Sequence, residues 1–401
     1  MALLNLDDPR KRIPPHTFSL WALGFRPFYL LAAGFAALAV PLWVAILSGA
    51  ISVAMPGLWW HAHEMLFGFA AAVIVGFLFT AGRNWTGQPT PTDGSLAALA
   101  GVWLCGRLAM ALDGGWMALV IDVAFLPLAA LALGRALVRA GSRRNYFFPV
   151  ILLAMAGANL IFHAARLNML MVDPVVPLRV TLGLIVMIET IMGGRVIPTF
   201  TASALRGGSP IRQWQAPWLS RASIALTGIS LLAWALEPAL GWGVWFAPLA
   251  LVAAVLQLAR TLGWNGWAAR RVPLVWILHL GHLWIAVGLG LVALSAWGLV
   301  PLSAAVHAFA IGATGGLIIG MITRTALGHT GRMLVASPVE TSAYVLIQCA
   351  AVARVLTLVA LPLAATRGVH VAAALWSLGF LLYLWRYLPW LIRARIDGQP
   401  G

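Results

Sequence analysis

Apolar segments recur along the 401-residue chain at a length that suits a lipid bilayer. A helix needs about 20 predominantly apolar residues to cross the hydrocarbon core. Twelve stretches of roughly that size follow one another, so the pattern predicts an all-α integral membrane protein with about twelve transmembrane helices. We place these spans at residues 25–49, 57–82, 95–112, 116–137, 146–166, 174–197, 217–236, 243–262, 272–295, 301–323, 341–362 and 370–392.

The connections between the spans are too short to hold a soluble domain. We therefore expect a single membrane domain over residues 21–393, with polar tails at 1–20 and 394–401. The composition agrees, because 62% of the residues are hydrophobic and only 9% are charged. A soluble domain carries about 25% charged residues, so this chain has too little polar surface for a water-soluble body.

The basic residues show which way the chain is oriented. The formal net charge is +15, and most Lys and Arg residues fall between apolar segments on one side of the predicted bundle. With the N-terminus inside, nineteen basic residues flank the cytoplasmic ends of the spans, against Arg166 and Arg367 outside. Positive charge stays on the cytoplasmic side of short loops. Both termini are predicted to be cytoplasmic, with the bilayer as partner and no nucleic acid.

The stretch WWHAHEMLFGFAAAVIVGFLFTAGRNWTG, residues 59–87, stands out in the second span. His61, His63 and Glu64 lie in its first turn. Ionisable groups inside an apolar helix are costly, so we expect them to be paired, bound to metal or facing a wet cavity. Helical residues two positions apart point about 200° apart. His61 and His63 therefore have different surroundings, and either of them can be the one that binds a ligand.

Four histidines are predicted near the outer ends of the spans: His61, His63, His163 and His307. Neutral imidazole is the usual protein ligand of haem iron, copper and zinc. Two rows of small residues accompany them, Gly68, Ala72 and Gly76 in the second span and Gly312, Gly316 and Gly320 in the tenth. Such rows admit a partner helix or a flat macrocycle. The alternative is that the histidines only hydrogen-bond between helices and the glycines only pack.

A second polar set is predicted towards the cytoplasmic side: His279, His282, Glu189, Arg195, Arg324, His329 and Arg332. We expect Glu189 to pair with Arg195 or Arg324, and His329 to lie in a cytoplasmic loop. This set suits a proton path, an anion site or a clamp on haem propionates, for which Arg is well shaped. Structural ion pairs at helix ends are the alternative.

A weak repeat relates the second, sixth and tenth spans, which each end on an arginine at Arg83, Arg195 and Arg324. The separations amount to about four helices each. Three four-helix units would form a pseudo-threefold ring.

Several long motifs resemble the NnrS family. They are residues 61–87, GGRVIPTFT (193–201), LVWILHLGHLW (274–284), RRNYFFPVILLAMAGANLIFH (143–163) and HAFAIGATGGLIIGMITRTALGHTGR (307–332). The resemblance covers most of the chain. It implies a bacterial inner-membrane protein that holds haem and copper and is associated with nitric oxide, nitrosative stress and denitrification. The positions that match the family's histidine motifs are His61, His63, His163, His279, His307 and His329.

The twelve spans are also loosely similar to the catalytic subunit of haem-copper oxidases, whose haem histidines lie on the second and tenth spans. By that analogy we expect His63 and His307 to be haem ligands, with His61 and His163 supporting the haem or binding copper. Arg195 or Arg324 would hold anionic groups on the inner side. The sixth and seventh spans have no histidine, so the oxidase-type binuclear centre lacks ligands. Whether a reaction is catalysed stays open.

Two further hypotheses compete with a haem protein. Twelve spans also suit a transporter, in which Glu189 and His279 would couple ions and Pro41 and Pro198 would interrupt two helices. The other is a sensor or assembly factor that acts with a redox or denitrification partner.

Overall fold

The computed structural model describes residues 13–53, 55–112, 114–205 and 213–399. Most of the predicted N-terminal tail lies outside these residues, as do Arg206 and Arg212, which contributed to the charge count. The described residues form long helices joined by short turns. The expected all-α fold is confirmed.

Within the described residues, twelve helices are long and apolar enough to cross a membrane. We number them in chain order: α1 Phe25–Leu47, α2 Gly57–Thr86, α3 Asp93–Ala111, α4 Gly115–Arg139, α5 Arg143–Arg166, α6 Val175–Ala204, α7 Pro217–Leu240, α8 Gly243–Gly263, α9 Pro273–Ala296, α10 Leu302–His329, α11 Pro338–Val359 and α12 Pro362–Leu391. The count agrees with the hydrophobic pattern. The protein is a multi-pass membrane protein whose outer surface contacts lipid.

Several boundaries differ from the sequence prediction. Helix α10 continues to His329, which therefore ends a helix instead of lying in a loop. Helices α1 and α6 run without a break through Pro41 and Pro198. Hydropathy alone ends α6 and α10 too early, because polar residues begin near Arg195 and Arg324 while the helices continue to Ala204 and His329.

Local sequence signals explain where several helices start and stop. Ser337 caps α11 in a capping box with Glu340, whose Oε2 accepts the Ser337 backbone N–H at 2.8 Å. This arrangement satisfies backbone donors that a helix start would leave unpaired. Gly87 and Gly241 end α2 and α7 in the left-handed conformation that glycine adopts without strain.

The helices pack in chain order and close into a ring, because α12 packs against α1. Arg26 in α1 fastens this closure: its Nη1 donates to the carbonyl oxygens of Leu391 at 2.9 Å and Arg393 at 2.6 Å. Helix α1 begins and α12 ends on the same side of the bundle. We call this side the terminal face and the opposite side the far face.

Four helices, α2, α6, α9 and α10, have the largest buried fraction. Helices α2, α6 and α10 are the three that the weak repeat relates, and α6 contacts both of the others. The interior position of α9 is a departure from strict threefold order. Both α2 and α10 contain a π-helical segment, Glu64–Ala70 and Ala308–Gly315.

The two small-residue rows pack against neighbouring helices. A Cβ added at Gly68 would lie 2.5 Å from the ring of Phe35 in α1, and one at Gly312 would lie 2.3 Å from Trp284 in α9. The rows therefore admit partner helices, which was one of the two predicted roles. The expectation that they admit a macrocycle is not met at these glycines.

A close approach of the backbones of α9 and α10 gives a stability prediction. A Cβ at Gly281 would lie 2.9 Å from the backbone nitrogen of Leu317, and backbone cannot move aside easily. Gly281→Ala should lower the melting temperature in detergent by several degrees, since overpacking costs about 1–3 kcal/mol. Gly290→Ala in the same helix is the control, because no atom lies within 4 Å of that position. Equal losses in both variants would contradict the contact.

Candidate functional site

A cavity of about 430 Å³ lies between α2 and α10 near the far face. Helices α1, α6, α7, α11 and α12 complete its wall, which is mostly apolar. The polar side chains that line it are His61, Arg179, Ser303, His307, Thr314 and Arg354. Concave, largely apolar pockets with a few convergent polar groups are typical of small-molecule and cofactor sites. The cavity is thus large enough to hold a ligand and brings two histidines together.

His61 enters the cavity from the start of α2. Its ring stacks on Trp43 of α1, with ring centroids 4.0 Å apart and an interplanar angle of 20°. The ring makes no hydrogen bond to the described residues, and its buried Nδ1 has no partner. Buried polar atoms are normally hydrogen-bonded. The unpartnered Nδ1 of His61 is therefore available to bind a ligand.

His307 enters the same cavity from α10. Its Nδ1 donates to the carbonyl oxygen of Ser303 at 2.6 Å. This bond places the proton on Nδ1 and leaves the lone pair on Nε2 free. Metal-binding histidines commonly donate their other ring nitrogen to a carbonyl in this way. His307 is thus oriented as a ligand would be.

Each π-helical segment begins directly after a histidine of interest, at Glu64 after His63 and at Ala308 after His307. π segments in otherwise regular helices occur often at functional sites. In α2 the changed winding separates the first turn from the rest of the helix. His61 and Glu64, three residues apart, point to different surroundings here.

Two arginines give the cavity positive charge. The guanidinium of Arg354 in α11 has no hydrogen-bond partner among the described residues. It lies within electrostatic range of both His61 and His307. Arg179 of α6 lies beside Trp234, and its Nη1 is 3.9 Å from Glu237 Oε2. An arginine without a full counter-ion favours a ligand that carries acidic groups.

A separate polar cluster lies between α2, α3, α4 and α5, and we call it the four-helix cluster. Its members are His63, Glu64, Arg107, Asp122, Asn159 and His163, and every one of them is buried. Arg107 joins the two acids, because Nη1 donates to Glu64 Oε1 at 2.6 Å and Nη2 donates to Asp122 Oδ1. Buried charges require such pairing.

The two histidines of the cluster converge on one carboxylate oxygen. Asp122 Oδ2 lies 3.1 Å from His63 Nε2 and 3.1 Å from His163 Nε2. Asn159 Nδ2 donates to the same oxygen at 2.6 Å. The second nitrogen of the His163 ring accepts a bond from Arg166 Nε at 3.1 Å. The Nε2 atoms of both histidines thus face Asp122 Oδ2. Either a proton or a metal ion must lie between each nitrogen and that oxygen.

The donor atoms of His63, Asp122 and His163 all lie within 4.8 Å of one another. Two imidazoles and one carboxylate form a donor set that suits several divalent transition metals, copper among them. The cluster is therefore a candidate metal centre. It is separate from the cavity, so the four outer histidines, predicted as one set, occupy two sites.

The inner histidines are held by threonines. His279 Nε2 lies 2.8 Å from Thr201 Oγ1, and His282 Nδ1 lies 2.7 Å from Thr261 Oγ1. Arg260 of α8 lies next to them, with its guanidinium 5.2 Å from the ring of Trp264. The cation of this region is thus Arg260, and not Arg195 or Arg324 as the sequence suggested.

The remaining predicted residues are scattered. His329 packs on Phe25 at 5.5 Å between ring centroids, near the terminal face. Arg195 donates to Asn145 Oδ1 at 3.3 Å, and Arg324 stacks on Phe200 at 3.8 Å. Within the described residues, Glu189 forms no ion pair with Arg195 or Arg324, and each arginine has another partner.

Four charged residues of the two sites were missed in the sequence: Arg107, Asp122, Arg179 and Arg354. All lie inside predicted spans or at their ends, where charged side chains are rare and usually functional. A search for every charged residue within the apolar segments finds them. Histidine motifs and span ends, on which the sequence prediction of the sites depends, do not point to these four positions.

The fold and the two sites define a class: a twelve-helix membrane protein with a histidine-lined cavity and a buried histidine–carboxylate cluster. The family model described as NnrS protein matches residues 19–395. The chain belongs to the NnrS family, as its motifs suggested. Among curated proteins, no relative matches the chain.

The four-helix cluster gives a prediction that requires no cofactor. Arg107→Met leaves Glu64 and Asp122 buried without their shared cation, and breaking a buried ion pair costs about 3–5 kcal/mol. We expect a large loss of thermal stability in detergent. Arg139→Met removes an exposed arginine and is the control. Adding Glu64→Gln to Arg107→Met should recover part of the loss, and a double variant less stable than the single one would contradict the pairing.

Proposed function

We propose that the protein binds haem in the cavity between α2 and α10, with His61 and His307 as the protein ligands of the iron. The observation that carries this proposal is the pair of imidazoles that enter one apolar cavity from two helices, one without any hydrogen bond and one oriented by Ser303. Imidazole is a common axial ligand of haem iron.

The rest of the cavity suits a haem. Its walls include the aromatic side chains of Trp43, Phe69 and Trp376, which present large apolar surfaces to a macrocycle. Arg354 and Arg179 provide cations for two propionate groups, and arginine binds carboxylates well because of its planar fork. In this proposal His61 takes the place that the oxidase analogy gave to His63, because His63 is turned into the four-helix cluster.

We propose further that the four-helix cluster binds copper through His63, Asp122 and His163. Nitrogen and oxygen donors of this kind suit Cu(II). Glu64 Oε1, which lies 2.9 Å from His63 Nδ1, and Asn159, which donates to Asp122 Oδ2, would orient these ligands. With a metal on His163 Nε2 the ring proton would move to Nδ1, so the bond from Arg166 would be given up. A cation at Asp122 Oδ2 would replace the protons that now separate the two Nε2 atoms from that oxygen. Arg107 would hold the other oxygen of Asp122 in position.

The cellular role we propose is protection against nitric oxide and nitrosative stress, or support of denitrification, in the inner membrane of a bacterium. A bound haem supplies an iron that can take up nitric oxide or exchange an electron. The chain's own contribution is to exclude water through Trp43, Phe69 and Trp376, to fix the imidazoles, and to neutralise the propionates. Family membership supports the link to nitric oxide.

We propose that the terminal face is cytoplasmic, with the haem cavity towards the periplasm. The distribution of basic residues supports this orientation. The transporter hypothesis stays a prediction, although the two helices that Pro41 and Pro198 could interrupt are continuous. The sensor or assembly role stays a prediction, to be tested by co-purification with a denitrification enzyme.

The test of the haem proposal is an absorption spectrum of protein purified after haem-replete expression, oxidised, reduced, and reduced with nitric oxide. Wild-type protein should show a Soret band that shifts with nitric oxide. His61→Ala and His307→Ala should each lose most of the band, because each removes one ligand. His370→Ala is the matched control, since His370 is an exposed histidine of α12.

A Soret band that survives in both ligand variants would move the haem elsewhere. Wild-type protein without any Soret band would overturn the haem proposal.

The copper proposal has its own readout. Metal analysis should find copper in wild-type protein, and His163→Ala should lose it while the Soret band remains, because His163 does not line the cavity. His61→Ala should show the reverse. Copper retained in His163→Ala would contradict this site, and joint loss of copper and haem in a correctly folded variant would contradict the separation of the two sites.

A further inference from the structure

Glu189 of α6 is a half-buried residue that neither site uses, and its carboxyl oxygen Oε2 is buried. That oxygen has no hydrogen-bond partner among the described residues, and none of their charged side chains forms an ion pair with it. Thr314 of α10 is a polar neighbour of the carboxyl. An uncompensated carboxylate inside an apolar bundle is costly, so such groups are usually functional. The described part of the chain offers no structural role for this one.

Glu189 lies directly beneath the cavity. Leu178 and Leu182 of α6 line the cavity wall, and Glu189 follows Leu182 by seven residues, which places it on the same helical face about two turns deeper. Thr314 lines the cavity from α10, and its Oγ1 also has no hydrogen-bond partner. A hydroxyl thus stands between the carboxyl and the cavity, and both groups have unused hydrogen-bonding capacity.

A third orphaned polar atom continues this line towards the terminal face. A Cβ at Gly193, one turn beyond Glu189, would lie 3.2 Å from His282 Nε2, and that nitrogen has no partner. Orphaned buried polar atoms in a row are the places where internal water binds. His282 also faces Thr261 and Arg260 of α8 and its neighbour His279.

We propose that Glu189 is the proton-exchanging group of the cavity: it takes up a proton from the terminal face when the cavity gains an electron and releases it when the electron leaves. The proposal rests on the proposed haem site. One electron from an external one-electron donor enters the cavity, and one proton from water joins the Glu189 carboxylate to form the acid. The added negative charge and the proton compensate each other. Electron uptake in the cavity and proton uptake at Glu189 are then thermodynamically linked.

The test is the midpoint potential of the bound haem as a function of pH, in wild-type protein and in Glu189→Gln and Glu189→Asp. One proton per electron gives a slope of about 59 mV per pH unit, since a tenfold change corresponds to that value for one electron. The wild-type slope should approach it within a window of pH. Glu189→Gln should flatten the slope, and Glu189→Asp should keep it in part. Asp93→Asn is the control, because Asp93 is exposed at the terminal face.

An infrared difference spectrum between oxidised and reduced protein gives a second readout. A carboxyl C=O band should appear on reduction, shift in D₂O, and be absent in Glu189→Gln. Proteoliposomes with a pH dye on either side should show proton uptake from the terminal face.

A slope or a band that is unchanged in Glu189→Gln would overturn the proposal. Uptake from the far face would overturn the route past His282. Purified protein without haem would instead contradict the proposed function, so the two failures can be told apart.

Discussion

The cost of an ionisable group inside an apolar helix bundle governs the arrangement of this protein. Water is absent from the hydrocarbon core, so each charge must meet an opposite charge, a metal or a hydrated cavity. In the four-helix cluster, Arg107 of α3 joins Glu64 of α2 to Asp122 of α4. Asn159 and His163 add the fourth helix, α5, by binding Asp122. At the terminal face, Arg26 binds carbonyl oxygens at the end of α12 and closes the ring. The stability of the fold and its chemistry thus depend on the same contacts.

The same constraint separates the two candidate sites. The cluster pairs its own charges, because its acids, its arginine and its histidines bind one another, and only Glu64 Oε2 and Arg107 Nε lack a partner among its described buried atoms. The cavity does not pair its charges, because Arg354 lacks an acid and His61 lacks a hydrogen bond. A site that pairs its own charges can hold a small cation in exchange for protons. A site with an unpaired arginine and an unbonded imidazole suits a larger ligand with acidic substituents. This contrast supports copper in one site and haem in the other.

Glu189 fits between these two cases. It is neither paired, as in the cluster, nor exposed to the cavity itself, as His61 is. With Thr314 above it and His282 beyond Gly193, it lies on the only stretch of α6 where orphaned polar atoms follow one another among the described residues. A carboxyl in that position can balance a change of charge in the cavity without moving any helix.

The sequence by itself determined the class of the fold. Twelve apolar segments, the bias of basic residues and the long motifs around His61 and His307 were sufficient for the helix count and the family. These features are local, since the length and hydropathy of each span depend on its own residues. The opposite directions of His61 and His63 also followed from helix geometry alone.

Only the tertiary structure decided which histidine joins which partner. The register of α2 changes at the π segment that begins at Glu64, and a change of winding has no clear signature in composition. The partners of His63 come from α4 and α5, about 60 to 100 residues away. Pairing of that kind is set by how helices pack around buried charge. No single segment carries that information, so the sequence could not tell which of His61 and His63 lines the cavity and which lies in the four-helix cluster.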